Sequence, residues 1–283
     1  MPQATAPSEG PICISLADVL RTKLGPGRAR RVPRFAVRFL ERIICQDRLN
    51  ELLRAAWPLE GADFCHAVLK ELDVEVKLEG REKLPASGRA LFVCNHPLGG
   101  LDGIAIIAAL SEVYGPGLRF VVNDMLMAVA PLREVFVPVN KHGAQTRESA
   151  SALEAALASD APVVIFPAGL CSRRGKGGEI ADLPWLKTFV SLARRWKRPV
   201  VPMFFSGRNS SFFYRFANLR KRAGIKLNIE MVRLPRELVL AEGSRYRLVC
   251  GHPVPVSELG GRAAEVASRI RDIVYSLASE TRP

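Results

Sequence analysis

The stretch from Ala90 to Gly115, "ALFVCNHPLGGLDGIAIIAALSEVYG", decides how this chain folds. It opens on a short β-branched and aromatic run, breaks at a turn holding Pro97, Gly99 and Gly100, and continues as an apolar segment closed by Gly115. The pattern predicts a buried strand, a tight turn and a helix, the building unit of a sheet covered by helices. Into the turn the strand delivers His96, one of only four histidines, with Asp102 six residues on.

The same texture recurs downstream. "VEVKLEG", "LRFVVN", "EVFVPVN", "APVVIFPAG", "PVVPMFFSG", "IKLNIEMV" and "YRLVCGHPV" read as strands. "TRESASALEAALAS", "LPWLKTFVSLARRWKR" and a segment from about Ser257 to Leu277 read as helices. This alternation predicts an α/β sandwich whose central sheet is mostly parallel or mixed, with functional turns at strand ends. Ahead of it, residues 1 to 32 are rich in Pro, Gly and Arg and are expected to be disordered apart from a helical turn near Leu16 to Leu20. From Pro33 to Leu72 the spacing of Phe35, Phe39 and Ile43, then of Leu49, Leu52, Phe64, Val68 and Leu69, is helical. The expected organisation is an N-terminal helical, membrane-associating segment over 1–72 and a catalytic domain over 73–283.

Charge narrows the partners. The 283 residues carry 41 Lys and Arg against 28 Asp and Glu, a net +13. Such a balance points to anionic partners: nucleic acid, phosphate-bearing molecules or an acidic membrane surface. The excess is concentrated, with eight basic residues and one acid between Arg21 and Arg42, and six basic residues and no acid between Gly207 and Lys226. The six cysteines are scattered without a CxxC pair, as expected of reduced, mostly buried thiols, and no histidine pair has metal-ligand spacing. The N-terminus lacks the basic start and apolar core of a signal peptide, and no stretch approaches the roughly 18 to 20 apolar residues of a membrane span. A peripheral protein on the cytoplasmic side of a membrane is therefore expected. "GLCSRRGKGG" misses the spacing of a phosphate-binding loop, there is no GxSxG elbow, and no nucleic-acid module accompanies "YRFANLRKRAGIK".

On a continuous helix, residues six apart lie about 240° round from each other. A turn must therefore bring His96 and Asp102 together, and Gly99 and Gly100 are expected to supply it. Asp102 at the start of the helix would accept a hydrogen bond from one imidazole nitrogen and aim the other at substrate. A His–Asp pair without its own nucleophile suits a reaction whose substrate brings the hydroxyl. Read from the motif alone, Asp102→Asn should harm turnover and spare stability.

"NHPLGGLDG" resembles the histidine–aspartate motif of the glycerolipid acyltransferase family, of the lysophosphatidic acid or PlsC-like type, and especially a bacterial subgroup described as hemolysin-like. "VFVPVNK" (Val135 to Lys141), "FPAGLCSR" (Phe166 to Arg173) and "VVPMFFSG" (Val200 to Gly207) are similar to further blocks of that family, in its order. The resemblance spans roughly Val74 to Val256. It implies an O-acyltransferase of lipid biosynthesis, with His96 as general base oriented by Asp102, and with backbone N–H groups near the glycine turn or following helix stabilising the oxyanion. It places Asn95, Gly99, Gly100, Asn140 and Lys141 at the substrate site. Phe166, Pro167, Gly169, Ser172, Arg173 and Arg174 join them there. The donor it implies is a thioester on acyl carrier protein or coenzyme A, with neither metal nor bound cofactor, because a thioester is already activated.

Two departures bear on the acceptor. Five residues, Pro97 to Leu101, separate His96 from Asp102 where the family has four. Ala168, Leu170 and Cys171 stand where the family has Glu and Thr-Arg, which hold an acceptor phosphate or headgroup. Arg173 and Arg174 are the expected substitutes. The acceptors under consideration are a lysophospholipid or, because of the altered block, a lyso-aminolipid of the ornithine or glycine type. The rival from another class is a non-catalytic basic protein that binds anionic membranes.

Overall fold

The computed structural model describes residues 10, 13–25, 27, 32–139 and 146–279. Asn140 and Lys141, expected at the substrate site, and most of the first 31 residues lie outside this range. Helices α1 (Leu16–Leu24), α2 (Arg34–Ile43), α3 (Gln46–Ala56) and α4 (Gly61–Glu71) precede the first strand. α1 starts where Ser15 caps the Asp18 amide, and it is tied to α3 by bonds from the Ile14 and Leu16 amides to Asn50 and Gln46.

Seven strands form the main sheet: β1 (Glu75–Glu79), β2 (Leu91–Cys94), β3 (Arg119–Asn123), β4 (Phe136–Val139), β5 (Val163–Ile165), β8 (Val200–Phe205) and β9 (Arg245–Cys250). Their order is β1-β9-β8-β2-β5-β3-β4. Pairing is parallel except between β8 and β9, where Met203 faces Cys250, so β1 and β9 run against the other five. β2 sits centrally, with Leu91 opposite Val163 on one side and Val200 on the other. The mixed sheet expected from the alternation is what forms.

Helices on both faces explain why β2 is apolar without interruption. Successive side chains point to opposite faces. Phe92 and Cys94 enter one layer, with Phe64 and Val68 of α4 and Ile106 of α5 (Leu101–Tyr114). Leu91 and Val93 enter the other, with Leu157 of α6 (Arg147–Ala158), Phe189 of α7 (Thr188–Arg195) and Ile270 of α10 (Ala263–Ser276). α5 is apolar all round because it is buried along most of its length, and Gly115, at φ +77, ends it by donating to Ser111 O.

Three expectations change. "IKLNIEMV" is no strand; it becomes a 3₁₀ turn, Ile229–Arg233, running into α9 (Leu234–Leu240). Pro235 suits a first helical turn, and the turn carries Glu230 inward to the part-buried Arg173 and Arg220. The last helix begins at Ala263, because Gly260 and Gly261 separate it from a 3₁₀ turn over Val256–Leu259. "RRGKGGEIA" forms an unforeseen antiparallel hairpin, β6 (Arg173–Arg174) with β7 (Ile180–Ala181), and α8 (Ser211–Arg222) lies beside it. Among the described residues, no helix is long and apolar enough to cross a membrane.

Candidate active site

β2 ends at Cys94 and hands the chain to a turn outside the carboxyl end of the parallel strands, the region where open α/β sheets bind ligands. Asn95 continues the sheet with its side chain: Nδ2 donates to Phe205 O at 2.9 Å, and Phe205 N donates to Oδ1 at 2.7 Å. Both ends of that amide are thus used to splice β2 to β8 rather than presented to a ligand. Gly99 has φ +78, and a Cβ there would lie 2.8 Å from the Leu234 side chain and 3.1 Å from Cys171 Cβ. Gly100 is extended, with open space around a built Cβ. The need for glycine therefore falls on position 99 and not on the pair.

This turn closes the distance between His96 and Asp102. His96 Nδ1 lies 2.9 Å from Asp102 Oδ2, and the carboxylate is fully buried. Asp102 is the second residue of α5 rather than its cap. Its Oδ2 also accepts from Leu98 N at 2.9 Å and Gly99 N at 3.3 Å, while Oδ1 accepts from Gly100 N and Gly103 N, each at 3.0 Å. Burial pushes this carboxyl upward, but the facing His96 and the backbone donors outweigh it, and the net pKa lies below the ordinary carboxylate value. Asp102 is accordingly ionised at neutral pH. Its contribution to stability is present above the unfolded carboxylate range and fades as pH falls through the depressed value. The four amides held by Asp102 are not available for the oxyanion role expected of this turn.

His96 is fixed from three further directions. Its backbone N–H donates to Asp182 Oδ1 at 3.2 Å, and its carbonyl accepts from Ser172 N at 2.7 Å. Its ring stacks on Phe166, with centroids 3.9 Å apart and planes 19° from parallel. With Nδ1 facing an ionised carboxylate, the proton belongs on Nδ1 and the Nε2 lone pair is the basic position.

Asp182, Trp185 and Tyr275 are what sequence reading missed. The buried carboxylate accepts from Ser172 Oγ at 2.6 Å and from Trp185 Nε1 at 3.0 Å, and its own amide donates to the Tyr275 hydroxyl at 2.8 Å. Burial raises the Asp182 pKa despite these donors. Ser172 therefore supports His96 through Asp182. The one available signal was an acid in "IADLPW" close to the Phe-Pro block, and no spacing rule attaches it to a histidine 86 residues away.

The remaining residues of the expected site divide. Pro167 is buried and its carbonyl accepts from Leu186 N, and Gly169 takes the positive φ of +64 that its turn requires. Arg173 turns inward: Nη2 donates to Glu230 Oε1 at 2.9 Å and Nη1 to Cys171 O at 2.7 Å, while Arg220 Nε approaches Glu230 Oε2 at 2.7 Å. Arg174 is exposed and lines a basic groove of about 900 Å³. Alanine at the two positions should behave differently. Arg173→Ala strips a buried glutamate of one of its two cations and should lower stability by about 2 kcal/mol, read as Tm. Arg174→Ala should leave Tm unchanged and raise the acceptor's KM if this residue meets the headgroup. Cys171 supplies no nucleophile, because burial lifts its thiol to about 11 against the lowering effect of Arg173.

An acyltransferase family model matches residues 18–280. The lyso-glycine lipid O-acyltransferase of Phocaeicola vulgatus is 42% identical over 266 residues, covering 93% of this chain and 95% of the relative. That of Bacteroides thetaiotaomicron is 40% identical over 266 residues, covering 93% and 97%. Among solved structures, the 1-acyl-sn-glycerophosphate (LPA) acyltransferase PlsC from Thermotoga maritima aligns over 87% of this chain and 94% of its own, at 16% identity and a TM-score of 0.46.

Proposed function

The chain belongs to the acyltransferase family, and we propose that it moves a fatty acyl group from a thioester donor to the hydroxyl of a lyso-lipid. The observation that carries this reading is the 2.9 Å contact between His96 Nδ1 and a buried, ionised Asp102. His96 Nε2 takes the proton of the acceptor hydroxyl as its oxygen attacks the thioester carbonyl. The tetrahedral intermediate collapses with cleavage of the C–S bond, and the imidazolium returns its proton to the leaving thiolate. Asp102 keeps the reacting tautomer and stabilises the imidazolium. The donor in this reading is acyl-CoA or acyl-ACP, and no cofactor takes part.

For the acceptor we favour a lyso-aminolipid of the glycine type. Two relatives at 40–42% identity over nearly the whole chain carry that activity in their names. The chain also has Ala168 in place of the family's glutamate, and it turns Arg173 toward Glu230. A carboxylate headgroup needs fewer cations than a phosphate monoester, which fits the engagement of Arg173 by Glu230. Lipid mass spectrometry of cells with and without the gene tests this: monoacyl glycine lipid should accumulate in its absence. Accumulation of lysophosphatidic acid instead would assign the enzyme to phospholipid synthesis.

The lipid is reached from the membrane surface in this reading, and α2 contributes. Phe35 and Phe39 are 76% and 63% exposed, with Arg34, Arg38 and Arg42 also exposed on the helix. A helix of this kind buries its apolar stripe at the headgroup boundary while its arginines meet anionic lipid. Joint replacement of Arg34, Arg38 and Arg42 by Glu should weaken binding to anionic vesicles and make the residual binding less salt-dependent, with activity on detergent-solubilised acceptor retained. Unaltered vesicle binding would detach α2 from this role.

A further inference from the structure

α8 leaves the carboxyl end of β8, the neighbour of β2, and so stands at the same edge of the sheet as His96. One face of α8 is buried through Phe213, Tyr214 and Ala217. Opposite it, Phe212, Phe216 and Leu219 form a ridge at i, i+4 and i+7. Phe212 is 54% exposed and Leu219 64%, the rings of Phe212 and Phe216 stack at 6.0 Å, and Arg233 lies 4.2 Å over Phe212.

Beside this ridge runs the basic groove. α8 contributes Arg215, Lys221 and Arg222, and the β6–β7 hairpin contributes Arg174 and Lys176, with no acid in the lining. Glu179 of the hairpin packs against Gly175 and Gly177, and Glu230 is held by Arg173 and Arg220. Across β2, at the same sheet edge, β3 ends in a turn where Met125 is 81% exposed. Apolar side chains thus protrude on either side of the His96 turn, and cations line one flank.

We propose that this carboxyl edge, with the α8 ridge and its cationic flank at its centre, is a membrane-docking surface for an anionic bilayer, separate from α2. Aromatic and leucine side chains flanked by arginine and lysine are the composition of a helix lying in the headgroup region. Docking here sets the His96 turn toward the lipid surface, so a lyso-lipid reaches the base with little of its acyl chain crossing water. The proposal rests on a lipid acceptor, but its test needs no turnover, so its failure leaves the acyltransferase reading standing.

The test is cosedimentation of the full-length protein with vesicles of equal parts phosphatidylglycerol and phosphatidylcholine. Two doubly substituted proteins are compared with the parent: Phe212→Ser with Leu219→Ser, and Arg215→Glu with Arg222→Glu. All four positions are exposed or at the groove, so circular dichroism should be unchanged. Each pair should weaken vesicle partitioning by about tenfold or more. Parent-like partitioning of both pairs would overturn the proposal. Loss with the charge pair alone would also overturn it, because it would mean an anion contact without insertion. A lipid-free dimer that the ridge pair dissociates would assign the ridge to a second copy of the chain instead.

Discussion

Replacing His96 by alanine is expected to lower the rate of acyl transfer by roughly 10³ while leaving vesicle binding intact. The His96 imidazole is oriented by Asp102 at Nδ1 and by Phe166 on its face, and the His96 backbone is held by Asp182 and Ser172. Those backbone bonds survive the substitution, so the turn should persist. Asp102 loses its imidazole partner, and its pKa should rise as burial meets less opposition. Single-turnover transfer to a lyso-lipid, measured beside vesicle cosedimentation, separates the enzyme from a basic protein that merely coats membranes. Turnover within about threefold of the parent would remove His96 from the chemistry.

Asp102→Asn should cost both rate and stability. With the amide nitrogen in the place of Oδ2, it donates to His96 Nδ1 and forces the proton onto Nε2, the tautomer that cannot act as base; it also faces the Leu98 and Gly99 N–H groups. With the amide flipped, the nitrogen meets the donors of Gly100 and Gly103. Either way two buried backbone donors lose an acceptor, at about 1 to 3 kcal/mol each. A fall in turnover of about 10² or more and in stability of about 2 to 4 kcal/mol is expected, from kinetics and thermal unfolding of the same sample. The motif by itself suggested that stability would be spared, because a motif does not display the amides gathered on the carboxylate. An unchanged Tm would reduce Asp102 to a partner of His96 alone.

Arginines show where local pattern stops being informative. Arg195 and Arg198 belong to one basic run, "RRWKRP". Arg195 is exposed and pairs with Glu154 at 2.8 Å. Arg198 is fully buried, donating to carbonyls that include Leu157, Ala90, Ala161 and Ala156, and burial brings its pKa down to about 10. Arg173 and Arg174 divide the same way, one turned to Glu230 and the other to the groove. In each pair, the carbonyls or carboxylate that draw one arginine inward come from segments distant in the chain.

By itself the sequence determined the α/β class, the strand, turn and helix around His96, and the pairing of His96 with Asp102, because each depends on periodicity, glycine freedom and reach over a few residues. Only the tertiary structure decided that Asn95 joins β2 to β8, that Asp182 holds the His96 backbone, and that residues 225–232 are not a strand. It also decided that the α8 ridge and its basic groove stand at the same sheet edge as His96. These outcomes depend on burial and on partners tens to more than a hundred residues away. A buried polar group takes whichever partner the packed fold brings within hydrogen-bond reach, and local spacing does not encode that choice.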